Sequence, residues 1–97
     1  MFTHIAMFKW KQGAAKAEIE TALKKIEDLA KRIPGIIEIS TGENQSEYAS
    51  GYTHVVLVRA DSKEAIEAYR VHSEHQQAAS MLEIMEEHGI GVDFETK

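Results

Sequence analysis

YTHVVLVRA, residues 52–60, is the clearest strand in this chain, because valine and leucine dominate it. An antiparallel strand covered by helices on one face normally alternates apolar with polar side chains. Here both faces are apolar, with Val55 and Leu57 on one and Val56 and Val58 on the other. The pattern predicts a sheet that is covered on both sides.

A second strand with two apolar faces opens the chain. FTHIAMFKWK, residues 2–11, places Ile5 and Met7 on one face and Phe8 and Trp10 on the other. The helices of a 97-residue chain suffice to cover only one side of such a sheet. The remaining apolar face predicts a homodimer, in which a second copy of the sheet provides the cover.

Apolar spacing predicts the elements between these two strands. Apolar residues recur every three or four positions over residues 15–33, which indicates an amphipathic helix. Pro34 and Gly35 end this helix, since proline disfavours helical geometry at the preceding residue. A strand over residues 36–42 and a polar loop over residues 43–51 follow.

The second half of the chain predicts a helix in two pieces. Asp61, followed three residues later by a glutamate, has the spacing of an N-cap with its reciprocal partner. Ser73, followed three residues later by a glutamine, repeats this spacing and predicts a break near His72. The second piece is expected to continue to about His88, with Gly89 as its C-terminal cap and the His88 imidazole serving the helix end.

A last strand over residues 90–95 completes the order β-α-β-β-α-α-β. This order predicts an α+β fold of one domain over residues 1–97, a ferredoxin-like antiparallel four-stranded sheet with helices on one face.

The net charge of −5, with lysine and arginine scattered, argues against a nucleic-acid partner. The absence of cysteine excludes disulfides and thiolate metal sites, and the lack of a leader or apolar span predicts a cytoplasmic protein without a membrane partner.

The histidines are the candidate functional residues. Strand parity puts His4 and His54 on one side of the sheet, so they are expected to meet if their strands are neighbours. Tyr69, His72 and His75 follow one another at steps of three along the helical segment. Because histidine exchanges a proton near neutral pH, such a cluster predicts an acid/base site.

Plainer interpretations of the same residues stay open. A strand histidine often serves packing or a dimer contact, and His72 has the position of a helix cap. The spacing of His72 and His75 also suits a metal site that His4 and His54 complete, but no carboxylate evidently joins them. No metal and no cofactor are therefore expected.

Five segments of the chain resemble, in order and spacing, the stress-responsive dimeric α/β-barrel domain family. They are HIAMFKWK, IPGI, GYTHVVLV, DSKEAIEAYRVHSEH and VDFE. The resemblance covers nearly the whole chain. It implies a ferredoxin-like monomer whose sheet pairs with that of a second copy to form a barrel.

The resemblance extends to cofactor-free polyketide cyclases of that family, which close a ring by an intramolecular aldol step before aromatisation. It implies catalytic roles for four residues, which are Tyr69, His75, His54 and His4. His72 matches a further histidine of the same segment and is a candidate substrate-binding residue. Ser73 stands where the family usually has proline, a difference that affects the bend that aims His75.

The expected ligand is a small apolar or carbonyl-containing molecule, held in an apolar barrel lined by Phe8, Trp10 and Val56. One alternative is a non-enzymatic stress-responsive or ligand-binding homodimer. A second is a cofactor-free monooxygenase, whose haem-degrading relatives use an Asn, Trp and His set. In this chain the only tryptophan is Trp10 on the first strand and the only asparagine is Asn44 in a loop, so that pattern does not match.

Overall fold

A four-stranded antiparallel sheet organises the computed structural model, which describes residues 1–97. The elements are β1 (Phe2–Trp10), α1 (Lys16–Asp28), β2 (Ile36–Glu43), β3 (His54–Ala60), α2 (Lys63–Val71), α3 (Ser73–Met85) and β4 (Glu86–Glu95). The strand order is β2-β3-β1-β4, and each neighbouring pair is antiparallel. This architecture confirms the ferredoxin-like α+β fold with a divided second helix. None of the helices has the length and apolarity needed to cross a membrane.

The helices pack on one face of the sheet, here called the inner face. Alternate residues of β3, from His54 to Ala60, are buried on this face, whereas the residues between them are half-buried. The core side chains from the helices include Ile19, Leu23, Ile26, Ile66, Tyr69 and Leu82. Burial of these apolar side chains is the main stabilising contribution to the fold.

The opposite, outer face of the sheet is apolar and carries no helix. The register pairs Ile5 with Val92 and Met7 with Ile90 across β1 and β4, and Phe94 lies on the same face. The side chains of Ile90, Val92 and Phe94 are between 36% and 43% exposed. The two apolar faces read from the strands therefore correspond to one face under the helices and one face open to a partner.

The turn between α1 and β2 requires its glycine. The chain passes from α1 through a short 3-10 turn, Leu29–Lys31, before it reaches Gly35 at φ +89°. A Cβ at Gly35 would lie 2.8 Å from both Ala65 Cβ and Asp61 Oδ1, closer than real contacts allow. The turn therefore packs directly against the start of α2, and only glycine combines that approach with a positive φ.

The start of α2 differs from the expectation. The N-cap is Ser62, whose hydroxyl accepts a hydrogen bond from the Ala65 N–H at 3.2 Å, and not Asp61. Asp61 instead donates its backbone N–H to the Gly35 carbonyl at 2.9 Å. Asp61 thus forms the contact with the α1–β2 turn and does not cap α2 as the sequence spacing predicted.

The end of α3 also differs, because the helix stops at Met85 and β4 begins at Glu86 without a loop. The Met85 carbonyl accepts the Lys11 N–H at 2.8 Å, and the following residues pair with β1. His88 and Gly89 therefore lie in β4 and do not form a helix end; the His88 Nδ1 is 2.7 Å from the Tyr52 hydroxyl. Pairing with β1 outweighs the local helical pattern here.

Candidate active site

A cleft of about 360 Å³ lies between the inner face of the sheet and the helices. Its apolar lining consists of Ala6, Phe8, Ile26, Val56, Ala79 and Leu82. Its polar lining consists of His4, Tyr69, Arg70, His75, Glu83 and Glu86. A concave, mostly apolar site of this size with a few convergent polar groups is typical of small-molecule binding.

Tyr69 and His75 meet across the junction between α2 and α3. Their ring centroids are 4.3 Å apart with an angle of 60° between the planes. Tyr69 is only 2% exposed, and this burial raises the pKa of its phenol well above the ordinary value, against an opposing effect of the Arg70 charge. The phenol therefore stays protonated at neutral pH and is available as a hydrogen-bond donor.

His75 is held as a neutral imidazole. Burial lowers the pKa of His75 below its usual value, and the nearby charges of His4, Arg70 and His72 act in the same direction. A hydrogen bond with the Arg70 backbone opposes these effects and is second in size only to burial. The His75 Nδ1 is buried and has no hydrogen-bond partner in the chain. A neutral imidazole in the lining of an apolar cleft is suited to accept a proton.

His4 occupies the same end of the cleft, 6.1 Å from Tyr69 between ring centroids. Its Nδ1 lies 2.5 Å from Asp93 Oδ1, and the other carboxylate oxygen of Asp93 binds Arg70 Nη2. Asp93 is ionised because the hydrogen bonds from Arg70 and His4 outweigh its burial, which alone would raise the pKa, and lower that pKa below its usual value.

The tautomer of His4 follows from this contact. An ionised carboxylate only accepts hydrogen bonds, so the proton between Asp93 and His4 is on the imidazole Nδ1. Arg70 Nη2 is also 3.2 Å from this Nδ1, and two donors therefore converge on one carboxylate. The Nε2 of His4 is left as the nitrogen that exchanges a proton with other groups.

Arg70 and Asp93 were not found by sequence reasoning. Asp93 pairs directly opposite His4 in the β1–β4 register, and Arg70 follows Tyr69 on α2. The sequence does show that Asp93 is a carboxylate on the face of the last strand that turns to the helices. Strand parity alone, however, does not reveal which residue of β1 lies opposite it.

The expectation that His4 and His54 meet is wrong. Their strands are neighbours and both residues have inner-face parity, but His4 pairs with Val58 and His54 pairs with Phe8. The two histidines thus lie four positions apart along β1, roughly 13 Å at about 3.3 Å per residue. Antiparallel register, which parity does not determine, puts them at opposite ends of the strand pair.

His54 belongs to a different cluster. Its Nδ1 accepts the indole N–H of Trp10 at 2.8 Å. Because indole only donates, the proton of neutral His54 lies on Nε2. This Nε2 is buried without a hydrogen-bond partner, and the nearest carboxylate oxygen, from Glu43, is 4.0 Å away.

Trp10 does not line the cleft, contrary to the expectation. It stacks on Phe8 with ring centroids 5.2 Å apart and borders a separate groove of about 420 Å³, together with His54 and Asn44. The Asn44 amide is engaged within its own loop, since it donates to the Tyr52 carbonyl and accepts from the Ser46 N–H, both at 2.9 Å. Phe8 and Val56, by contrast, do line the cleft.

His72 also stays outside the cleft and forms the junction between the two helices. It is the N-cap of α3, with its Nδ1 accepting the Glu74 N–H at 3.2 Å, and so replaces Ser73 in the expected capping role. Its own N–H bonds to the Tyr69 carbonyl. Nowhere do three histidine, aspartate or glutamate side chains come together in a group able to hold a metal ion.

Replacing His72 with alanine is expected to lower the free energy of unfolding by about 1 kcal/mol, the usual cost of losing an N-cap. His72→Asn retains an acceptor of good capping geometry and should restore most of this loss. Urea denaturation of the two variants and the native chain measures the difference. Equal destabilisation by both substitutions would contradict the capping role.

Three comparisons with known proteins bear on this geometry. The model of the family described as "Stress responsive A/B Barrel Domain" matches residues 2–96. Olivetolic acid cyclase of Cannabis sativa is 31% identical over 74 residues, which are 74% of this chain and 73% of that protein.

Two solved structures resemble the whole chain. A dimeric ferredoxin-like protein of unknown function from Jannaschia sp. CCS1 is 28% identical with a TM-score of 0.89, over 98% of each chain. The protein At3g17210 from Arabidopsis thaliana is 23% identical with a TM-score of 0.87, over 100% of this chain and 96% of that one. The second likeness is one of fold alone.

Proposed function

Since this chain belongs to the stress-responsive A/B barrel domain family, we propose that it is a homodimer that performs cofactor-free acid/base chemistry of the aldol type on a small carbonyl compound. The observation that carries this proposal is the neutral imidazole of His75, which lines the apolar cleft beside a buried tyrosine. The relation to a cyclase supports the reaction type.

The proposed step is an intramolecular carbon–carbon bond formation. His75 removes a proton from a carbon beside a carbonyl group, and the electron pair of the broken C–H bond forms an enolate. The enolate carbon bonds to a second carbonyl carbon of the same molecule, and as the π bond of that carbonyl breaks its oxygen takes up the proton that His75 removed. Loss of water, followed by transfer of a further proton from a ring carbon to a carbonyl oxygen, then allows the ring to aromatise.

The other polar groups of the cleft have roles that follow from their protonation. The Tyr69 phenol donates a hydrogen bond to the enolate oxygen, where negative charge develops. His4, oriented by Asp93 through Nδ1, has Nε2 free to accept a hydrogen bond from the hydroxyl group that forms at the second carbonyl carbon. Phe8 and Val56 hold the carbon chain and exclude water. His54, Trp10 and His72 lie outside the cleft, so we assign them no part in this step.

The homodimer proposal rests on the outer face of the sheet. Ile90, Val92 and Phe94 leave an apolar surface that no helix of the chain covers. A second copy of the same face is self-complementary under two-fold symmetry and closes two sheets into a barrel. The solved Jannaschia relative is described as dimeric, which is consistent with this arrangement.

Proton exchange at carbon tests the proposal without knowledge of the substrate. Nonan-2-one, an apolar methyl ketone, is incubated with the protein in D₂O, and ¹H NMR follows the loss of the signals beside the carbonyl. We expect exchange at least about 100-fold faster than in buffer, the lower range for a positioned acid/base group. Tyr69→Phe should slow it, whereas Tyr52→Phe, remote from the cleft, should not.

Saturation-transfer NMR distinguishes catalysis from the alternative function, which is ligand binding alone. If the ketone receives magnetisation from the protein but exchanges no faster than in buffer, the cleft binds without catalysis. That result would replace the enzyme proposal with the ligand-binding homodimer.

A further inference from the structure

We propose that Arg70 recognises a carboxylate on the ligand, so that the molecule bound in the cleft is an apolar carbonyl compound with a free acid group. This inference rests on the proposed function, because it concerns the same cleft. It adds a specificity residue and a chemical class of ligand.

The hydrogen-bonding capacity of Arg70 is only partly used within the chain. A guanidinium group carries five N–H donors on three nitrogens. It donates one hydrogen bond, from Nη2 to Asp93, and the same Nη2 lies 3.2 Å from His4 Nδ1, which is itself a donor. The side chain is 41% exposed and lines the cleft, so donors on the other two nitrogens are available to a bound acceptor.

Asp93 alone does not accept all the hydrogen bonds that the basic side chains offer at this end of the cleft. One of its oxygens is taken by His4 and the other by Arg70 Nη2, so a single carboxylate is shared between two basic side chains. A second carboxylate, brought by a ligand, would find free guanidinium donors beside it. Charge-assisted hydrogen bonds from arginine to carboxylate are among the strongest polar contacts in proteins.

The charges of the cleft also orient such a ligand. Glu86 pairs opposite Trp10, six residues along β1 from His4, roughly 20 Å at about 3.3 Å per residue. Glu83 lies on the same side, two turns along α3 from His75. Two acidic side chains at the far end disfavour an anionic head there, and between the two ends the lining is apolar.

The predicted binding mode follows from this polarity. The acid group of the ligand lies at Arg70, its carbon chain extends over Ala6 and Val56, and the carbons next to the head lie beside Tyr69 and His75. The arginine therefore determines which carbon is presented to the proposed base.

Calorimetric titration with three eight-carbon probes tests this inference. Octanoate, octanamide and octan-1-ol share an alkyl chain and differ in the head group. At pH 7.5 we expect the native protein to bind octanoate about 10-fold more tightly than the neutral probes, a usual effect of one charge-assisted contact. In Arg70→Gln this preference should fall to within about two-fold, while affinity for octanamide is unchanged.

The matched control is Arg32→Gln, which removes the same charge from an exposed arginine that pairs with Glu74 outside the cleft. Arg32→Gln should keep the full preference for octanoate, and Arg70→Lys, which retains charge without the planar fork, should keep part of it. Unchanged octanamide binding by Arg70→Gln shows that the variant is folded.

Three results would overturn the inference. Equal affinity of the native protein for octanoate and octanamide would show that the protein does not recognise the head group. The proposed function would then still be tested separately by the ketone exchange. Retention of the preference in Arg70→Gln would assign it to another residue. Failure of all three probes to bind would reject both carboxylate recognition and the cleft as a binding site.

Discussion

His75→Gln is expected to lower kcat/KM by roughly 10²- to 10⁴-fold, the range by which a positioned general base accelerates proton transfer. Glutamine occupies similar space and forms hydrogen bonds, but its amide does not accept a proton at neutral pH. The rate of ketone exchange in D₂O measures the effect. His75 is the residue for this test because burial keeps it neutral and its ring lines the cleft.

The dependence of the exchange rate on pH identifies the base independently of how far His75→Gln lowers kcat/KM. Since burial holds the pKa of His75 below its usual value of 6.5, the imidazole is unprotonated and active at pH 7. The rate should stay level as the pH falls toward 6.5 and then decline with unit slope at a lower pH, as His75 becomes protonated. His75→Gln should lack this limb.

The same shift has a consequence for stability, with its sign set by proton linkage. Below about pH 6.5 the unfolded chain binds a proton at His75 more readily than the folded chain does, so folding stability falls as the pH decreases. His88→Gln changes a histidine of β4 that lies on the outer face and is not part of the cleft lining, and it is the control for the kinetic test. An unaltered rate and an unaltered acid limb in His75→Gln would reject His75 as the base.

Val92→Lys is expected to weaken dimer association at least about 100-fold, because it puts an unpaired ammonium group in the middle of the outer apolar face. Val92 is 43% exposed in the single chain and pairs opposite Ile5. Sedimentation velocity over a range of protein concentrations measures the change. Circular dichroism should remain that of the folded chain, since the inner core is untouched.

Val71→Lys makes the same substitution at a valine that is 70% exposed on α2. It should leave the association unchanged, because Val71 is remote from the outer face of the sheet. A native protein that is monomeric at all concentrations, or a Val92→Lys variant that still dimerises, would show that the outer face is not the interface.

Local periodicity was sufficient for the fold class and for much of the site. The period of two in β1 and β3 placed His4, Phe8 and Val56 on a common face, and the structure shows them all lining the cleft. The break near His72 was also predictable, since turn chemistry acts between near neighbours in the chain. Tyr69 and His75 consequently meet across that junction.

The sequence by itself therefore determined the elements and their faces, because these depend on side-chain patterns within a few residues, and it indicated the family through five segments that match in order along the chain. Only the tertiary structure decided the strand register, which separates His54 from His4 and brings Asp93 opposite His4. It also ended α3 at Met85, where pairing with β1 replaces the helix. The physical reason is that strand register depends on the packing of segments that are far apart in the sequence. The pattern of neighbouring residues does not contain that information.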